Sequence, residues 1–228
     1  SQGMAFEVVE RGAQQLPVQT EFVGSYNVSN LLGVMAALRA QGHSLPAVVQ
    51  ALSGLTAVPG RMERHGAAAG PLAVVDYAHT PDALHKALQA LRPLAQARGG
   101  RLWCVFGCGG DRDRSKRPLM AQAAQALADR VVLTSDNPRR ESPDAIVDDI
   151  ATGLTVDHSV HREIDRAQAV RWAMLHAGDR DVVLVAGKGH EDYQEINGVR
   201  LPSRDSDLVD AGLQARAQAL HPVMMTLG

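Results

Sequence analysis

The sequence has 228 residues, of which 45% are hydrophobic and 21% charged, and its formal net charge is −2 at pH 7. Composition of this kind predicts one large or two small globular domains in water. The near balance of charge argues against a nucleic-acid-binding protein, which needs a clustered basic face, and no apolar run reaches the length of a membrane span. Two cysteines, Cys104 and Cys108, are too few for a disulfide scaffold, so we expect a cytoplasmic protein.

The first 59 residues predict two short strands followed by two helices. Loosely alternating apolar residues indicate strands near Phe6–Glu10 and Leu16–Val18. The helix that includes Leu31–Leu38 is apolar around most of its circumference, which indicates that it is largely buried, and a second helix follows at Pro46–Leu52. Because so short a segment makes a poor core, we interpret residues 1–59 as the end of a larger domain and place a boundary at the Pro59-Gly60-Arg61 break.

From residue 60 onward, strands alternate with amphipathic helices. This alternation predicts a doubly wound, mostly parallel α/β sheet flanked by helices. Strands are predicted at Leu72–Val75, Leu102–Phe106, Val131–Leu133, His161–Ile164 and Val182–Ala186. Helices are predicted to begin near Thr80, Pro118, Ser142 and Asp165, and a last one spans Asp205–Leu220. A hairpin with an Asn197-Gly198 turn precedes that last helix.

Four loops that follow predicted strands are rich in glycine and charged residues. They span residues 76–80, 107–116, 136–139 and 187–191. Because the carboxyl ends of parallel strands meet at one edge of an open α/β sheet, we expect these loops to converge on one ligand site.

The loop Asp136-Asn137-Pro138-Arg139 is the most informative of the four. It combines a carboxylate, an amide and a guanidinium, and Pro138 stiffens the turn. Arg139 suits a carboxylate, while Asp136 and Asn137 suit an ammonium group, so the loop could hold a small zwitterion. From these residues alone, an ordinary polar turn is an equally open interpretation.

Two other patterns do not predict a site. Gly187-Lys188 is not a P-loop, because Val182 stands where a glycine is required and no Ser or Thr follows the lysine. A second group resembles a metal cluster, namely Asp157, His158, His161 and Glu163. Acids and histidines often fall together on a surface by chance, so we predict no metal there.

Seven short motifs occur along the chain in a specific order. They are Gly24–Asn30, Pro59–Glu63, Asp76–Asp82, Phe106–Asp113, Lys116–Pro118, Asp136–Arg139 and Gly187–Glu191. Over essentially its whole length the sequence therefore resembles the Mur ligases of bacterial cell-wall synthesis. Within that family it is similar to the MurE type, in which Asp-Asn-Pro-Arg is the signature for meso-diaminopimelate rather than lysine.

The resemblance implies an ATP-dependent amide ligase that adds meso-2,6-diaminopimelate to UDP-N-acetylmuramoyl-L-alanyl-D-glutamate (UDP-MurNAc-dipeptide) through an acyl phosphate. It also implies that residues 1–59 end the central ATP-binding domain and that residues 60–228 form the whole Rossmann-like C-terminal domain. The UDP-sugar domain, the P-loop and most ligands of Mg²⁺ then lie outside this sequence, and we expect the chain alone to be inactive.

Residue roles follow from the same resemblance. The implied diaminopimelate pocket comprises Arg112, Asp136, Asn137, Pro138, Arg139, Gly187 and Glu191. Within it, Arg112 and Arg139 suit the two carboxylates of the ligand, and Glu191 suits its distal ammonium.

The resemblance also implies four ATP contacts: Asn27 and Asn30 at the adenine, Arg61 on the phosphate side and Asp76 on the ribose side. From the residues alone, Asn27 could instead cap a helix, and Asp76 could instead close a turn at the end of a strand. The resemblance assigns no role to three further motif residues, which are His79, Lys116 and Lys188.

Two other functions stay open. One is a related Mur ligase that takes lysine or a dipeptide, which Asp-Asn-Pro-Arg disfavours. The other is a non-catalytic amino-acid-binding or nucleotide-binding module, which the lack of a P-loop in this sequence favours. In each case the expected partners are small molecules.

Overall fold

A computed structural model describes residues 4–11, 15–66, 70–155 and 160–220 of the chain. These residues form two compact units, 1–58 and 59–228. The division lies next to Pro59, and the assignment of the units to domains of a larger enzyme stays a prediction.

The first unit is a two-stranded hairpin packed against two helices. Its elements are β1 (Met4–Val9), β2 (Gln15–Thr20), α1 (Ser25–Ala40) and α2 (Leu45–Ser53). The strands are antiparallel, and their apolar residues pack with those of both helices into a small core. Both predicted strands and both predicted helices are therefore confirmed.

The prediction that α1 is largely buried is wrong for this unit. Leu31 and Met35 are buried, whereas Leu32 is 42% exposed and Val34 is 46% exposed. The core of the unit lies along one face of α1, so the apolar residues of the other face point outward.

The second unit is built on a six-stranded sheet. Its strands are β3 (Glu63–His65), β4 (Leu72–Asp76), β5 (Leu102–Phe106), β6 (Arg130–Leu133), β7 (Val160–Arg162) and β8 (Val182–Ala186). The spatial order is β3-β4-β8-β5-β6-β7, with β3 antiparallel to β4 and all other pairs parallel. The predicted mostly parallel sheet is confirmed. The short strand β3 escapes sequence analysis because its three side chains are polar and only partly buried.

Five helices and a hairpin complete this unit. They are α3 (Pro81–Arg98), α4 (Lys116–Leu127), α5 (Pro143–Ala151), α6 (Arg166–His176), β9 (Tyr193–Ile196), β10 (Val199–Pro202) and α7 (Asp205–Leu220). One set of alternate strand residues, including Val105 and Val185, shares a core with α6 and α7. Because side chains alternate along a strand, the other set points to the opposite face of the sheet. On that face, α4 packs against both α3 and α5.

Local sequence signals explain where several of these elements begin and turn. The Thr80 hydroxyl accepts a hydrogen bond from the Ala83 amide, and the Asp165 carboxylate accepts one from the Gln168 amide, so both helices begin where predicted. Asn197 and Gly198 have φ values of 50° and 78°, which the tight hairpin turn requires. Among the described residues, no helix is both long and apolar enough to cross a bilayer.

Candidate functional site

The four predicted loops meet at the carboxyl edge of the sheet, around a cavity of about 500 Å³. They follow β4, β5, β6 and β8, which are the four adjacent central strands. The predicted pocket residues that line this cavity are Arg112, Asp136, Asn137, Arg139, Gly187 and Glu191. The structure thus brings together six of the seven predicted residues. The seventh, Pro138, contributes a carbonyl that packs against Gly110.

The glycine-rich loop after β5 fits closely under the Asp136–Arg139 loop. A Cβ atom on Gly110 would lie 1.9 Å from the Pro138 carbonyl oxygen, so only glycine fits. The Gly110 amide donates to the Asn137 carbonyl at 2.8 Å. The Gly110 carbonyl in turn accepts from Nη1 of Arg139 at 2.8 Å. Close packing between two loops is therefore one physical reason for glycine here.

Asn137 connects three parts of the site. Its side-chain Nδ2 donates to Oε2 of Glu191 at 2.8 Å, and its Oδ1 accepts from the Glu195 amide at 2.8 Å. Asn137 is only 2% exposed. Because both ends of its amide are engaged, Asn137 holds Glu191 and the β9 strand in place.

Arg139 has an unusual backbone and a partly engaged side chain. Its φ is +51°, and its amide and carbonyl exchange hydrogen bonds with Glu195 and Asn197 of the hairpin, at 2.9 and 2.6 Å. Its Nε lies 3.9 Å from Oε2 of Glu195. The guanidinium also lines the cavity, where its remaining N–H groups can donate to a ligand carboxylate.

A second guanidinium lies at the exposed rim of the same cavity. Arg112 donates from Nη1 to the carbonyl of Asp111 at 3.3 Å, and Lys116, the first residue of α4, lines the cavity beside it. The cavity therefore presents cations on the Arg112 and Arg139 side, while Asp136 and Glu191 supply carboxylates.

The floor of the site contains buried charges. Burial raises the pKa of Asp136, and the nearby Arg166 guanidinium partly opposes that rise. Lys188 is fully buried, and its ammonium donates to the Tyr193 carbonyl. Burial also lowers the pKa of Lys188, with Arg166 adding to the effect.

The predicted ATP contacts fall in both units. In the first unit, Asn30 donates to Oδ1 of Asn27 at 3.2 Å, and Asn27 donates to the Val23 carbonyl at 2.8 Å. The N-cap of α1 is Gly24, with no side-chain cap, so the alternative that Asn27 caps this helix is wrong. The amides of both asparagines therefore occupy the first turns of α1.

In the second unit, Arg61 and Asp76 both lie next to Tyr77. The Arg61 guanidinium lies 4.7 Å from the centre of the Tyr77 ring. The Asp76 carboxylate accepts hydrogen bonds from the Met62 and Ala78 amides, both at 2.9 Å, which closes the turn at the end of β4. Burial raises the pKa of Asp76. This carboxylate therefore has a structural role whatever it binds.

Within this unit, Tyr77 contacts one residue of each predicted site: Arg61 of the ATP contacts and Glu191 of the diaminopimelate pocket. Its hydroxyl donates to Oε1 of Glu191 at 3.5 Å, and its ring packs against His79 and His190. Burial, followed by the charge of Glu191, raises the pKa of the Tyr77 hydroxyl. His79, which sequence analysis left without a role, lines the cavity and has its Nδ1 2.8 Å from the Tyr77 carbonyl oxygen.

The described residues contain no group of three or more His, Cys, Asp or Glu side chains that could hold a metal ion. Of the rejected metal pattern, Asp157 and His158 lie outside the described residues, and His161 stacks on Trp172 with ring centres 3.7 Å apart. The described side chains therefore offer no cluster that could hold a metal ion by protein ligands alone.

Sequence analysis missed several buried polar residues that hold the site together. Arg117 forms two hydrogen bonds with Glu141, at 2.7 and 2.9 Å, and one with Asp149 at 2.8 Å. The sequence feature that could have identified Arg117 is its position within the Lys116–Pro118 motif. Arg166 and Asp205 form a buried ion pair, and no local pattern distinguishes them from ordinary first-turn residues of helices.

A doubly wound sheet with a polar cavity at its carboxyl edge defines the class of ligand-binding α/β domains. The model of the Mur ligase glutamate ligase domain matches residues 60–189, so the chain belongs to the Mur ligase family.

Several relatives are similar to this chain over nearly its whole length. A UDP-N-acetylmuramoyl-L-alanyl-D-glutamate–2,6-diaminopimelate ligase of Acidovorax sp. is 56% identical over 94% of this chain and 42% of its own length. A solved structure of a ligase of that name is 42% identical, with a TM-score of 0.70, covering 93% of this chain and 43% of its own. UDP-N-acetylmuramate-alanine ligase from Thermotoga maritima, 20% identical over 92% of this chain and 42% of its own, shares the fold with a TM-score of 0.64. The chain spans about two fifths of the length of these relatives.

Proposed function

We propose that this chain is the amino-acid-binding part of an ATP-dependent amide ligase. The ligase joins meso-2,6-diaminopimelate to UDP-MurNAc-dipeptide. The names of the most similar relatives support this substrate pair. We also propose that residues 1–59 end the ATP-binding domain and that residues 60–228 form the C-terminal domain.

The observation that carries the proposal is the distribution of charge around the cavity. Among the charged lining residues, Arg112 and Arg139 supply guanidinium groups and Asp136 and Glu191 supply carboxylates. The lining also includes Asp113, Lys116 and Arg117, of which Arg117 is already paired with Glu141 and Asp149. Diaminopimelate has two carboxylates and two ammonium groups at the ends of a short chain. A cavity of about 500 Å³ with both charges on its walls suits such a molecule.

One end of the double-headed ligand must be held while the other end reacts. Arg139 and Glu191 are both fixed by hydrogen bonds to the Asn137 and Gly110 region, so together they suit the carboxylate and the ammonium of the distal end. Arg112, at the exposed rim, suits the second carboxylate. The free amine at the reacting end then attacks the acyl phosphate of the dipeptide, forming the C–N bond as phosphate leaves and the nitrogen loses a proton.

The contribution of these residues is positioning. Holding the amine at attack distance replaces a bimolecular encounter with a step inside the complex. In well-oriented reactions this effect lowers the activation barrier by about 7–11 kcal/mol. Mg²⁺, where bound, would shield phosphate charge.

For ATP we propose Asn27, Asn30, Arg61 and Asp76 as contacts. Asn30 is exposed and offers an amide to a base, and the Arg61 guanidinium offers a cation to phosphate. Asp76 can add a ribose contact only through lone pairs that its two backbone hydrogen bonds leave available.

The test is amino-acid selectivity in the full-length ligase. Initial rates with UDP-MurNAc-dipeptide and ATP are compared for meso-diaminopimelate and L-lysine, which lacks one carboxylate. We expect kcat/KM for lysine to be lower by a factor on the order of 10³ or more, because a guanidinium placed to bind the missing carboxylate would lose that partner.

Equal use of lysine, or a preference for it, would contradict the proposal. If no amino acid is ligated but calorimetry shows that the 228-residue chain binds diaminopimelate, the non-catalytic module is the correct function. The two measurements therefore separate the competing functions.

A further inference from the structure

A buried ion pair lies directly under the cavity. Arg166, the first residue of α6, bonds through Nε and Nη2 to the two carboxylate oxygens of Asp205, the first residue of α7, at 2.7 Å each. The two residues are 2% and 0% exposed. Neither residue lines the cavity, and neither belongs to a motif that sequence analysis singled out.

The same guanidinium also reaches two strand ends. Its Nη1 donates to the Ser135 carbonyl at 3.1 Å, and its Nη2 donates to the Ala186 carbonyl at 3.0 Å. Ser135 immediately precedes Asp136, and Ala186 immediately precedes Gly187. One side chain therefore holds the last peptide groups before two of the loops that build the site.

We propose that Arg166 and Asp205 are a positioning pair for the amino-acid site, because they hold the chain where the loops that carry Asp136 and Gly187–Glu191 begin. The inference rests on the proposed function for its catalytic consequence, but the anchoring of the loops can be measured without any substrate.

Stability alone is a poor explanation for such a pair. A buried ion pair can often be replaced by apolar side chains of similar volume with no loss of stability, since desolvation offsets much of the Coulomb attraction. Arginine is suited to holding several acceptors at once, because its planar guanidinium presents donors in fixed directions. Lysine would keep the charge but lose that fork.

The chain offers a matched control in Arg98, at the end of α3. Its guanidinium donates to three backbone carbonyls, those of Gly70, Asp179 and Arg180, at 2.9, 2.8 and 3.1 Å. These carbonyls precede β4 and β8, so they lie at the amino edge of the same sheet. Arg98→Met removes the same kind of contact far from the site.

The first experiment is amide hydrogen exchange on the 228-residue chain. We expect the Arg166→Met/Asp205→Leu double variant to exchange at least tenfold faster in peptides covering 134–140 and 186–192, with little change in the sheet strands. Arg98→Met should instead accelerate peptides near 176–182. Unchanged exchange in both site loops of the folded double variant would overturn the proposal.

The second experiment is steady-state kinetics in the full-length ligase. For the double variant and for Arg166→Lys, we expect KM for diaminopimelate to rise at least tenfold while KM for ATP stays within twofold. Arg98→Met should leave both constants near wild type. Equal increases in the two KM values would show a general structural role and contradict the inference.

The two experiments also separate this inference from the proposed function. If the wild-type ligase does not use diaminopimelate, the proposed function fails, and hydrogen exchange still decides whether Arg166 anchors the loops. If the wild-type enzyme uses diaminopimelate and the loops do not respond to the double variant, only the positioning role fails.

Discussion

The two edges of the central sheet use the same residue types in opposite ways. At the amino edge, Asp181 accepts hydrogen bonds from the Arg101 amide at 2.7 Å, and from the Trp103 indole and the Gly178 amide at 2.8 Å each. Asp129 accepts from the Leu102 amide and from Arg92, both at 2.7 Å. These carboxylates are occupied by their own surroundings, so they stabilise the fold.

At the carboxyl edge, Arg117 and the Arg166–Asp205 pair are likewise occupied, but other charged groups are only partly engaged by their neighbours. Arg139 and Glu191 each have protein partners but also line the cavity of about 500 Å³. The amino edge has a cavity too, of about 390 Å³, but the Trp172 ring there is stacked between His161 and His176. A binding site therefore needs polar groups that still have capacity to bind, and neither polar residues nor space is enough alone.

The largest effect is expected for Arg139→Ala in the full-length ligase, because this change removes a charged group that lines the cavity. Removing one partner of a buried charged contact costs about 2–5 kcal/mol, and the Arg139 side chain is only 20% exposed. We therefore expect kcat/KM for diaminopimelate to fall by a factor on the order of 10² or more, as measured by initial rates.

Arg98→Ala is the control for Arg139→Ala, since it removes an arginine from the amino edge. Its specificity constant should stay near that of the wild type. An unchanged specificity constant in Arg139→Ala would count decisively against the pocket assignment.

The amino edge should respond in stability instead. Asp181→Ala leaves three donors without their acceptor, and a buried unsatisfied donor costs about 1–3 kcal/mol. We expect the free energy of unfolding in urea to fall by about 3 kcal/mol, with KM for diaminopimelate unchanged in the folded protein.

Asp82→Ala gives the matched control for Asp181→Ala. Asp82 pairs with Lys86 on the surface of α3 at 2.8 Å. Its removal should change stability by about 0.5 kcal/mol or less. Similar losses in the two variants would mean that the amino edge has no special structural role.

Asp136→Asn should change stability in a way that depends on pH. Burial raises the pKa of Asp136 above its ordinary value of 3.8, so the folded state binds that proton more tightly than the unfolded state. The wild type therefore loses stability as pH rises from about 3.8 through the folded pKa, and the asparagine variant lacks this loss.

Urea unfolding of both proteins at pH 4 and pH 7.5 checks this prediction. We expect the variant to be the more stable protein at pH 7.5, with a smaller difference at pH 4, although it uses diaminopimelate poorly. A difference that grows toward acid pH would show that Asp136 is stabilised as a carboxylate by its surroundings.

Periodic patterns predicted most of the second unit. The buried residues of α3 and α5, such as Leu84, Leu88 and Ile146, recur at helical spacing, and that spacing alone identifies the face toward a sheet. The burial of α1 was not predictable in this way. An apolar circumference indicates what a helix can bury, whereas its packing depends on which other elements surround it.

The site was predictable only where residues are grouped in sequence. The four loops could be placed at one edge from strand order, and Asp136 to Arg139 were visible as a group. The residues that support them were not visible, since Arg166 and Asp205 are 39 positions apart and meet only through the packing of α6 and α7. The partnership of Asn137 with Glu191, 54 positions away, is equally non-local.

A crystal structure of the protein with meso-diaminopimelate bound tests the central claim most directly. We predict that the ligand lies at the carboxyl edge, with its carboxylates at Arg112 and Arg139 and its distal ammonium at Glu191. Ligand density at the amino edge, or a ligand whose charged ends contact none of these three side chains, would contradict it.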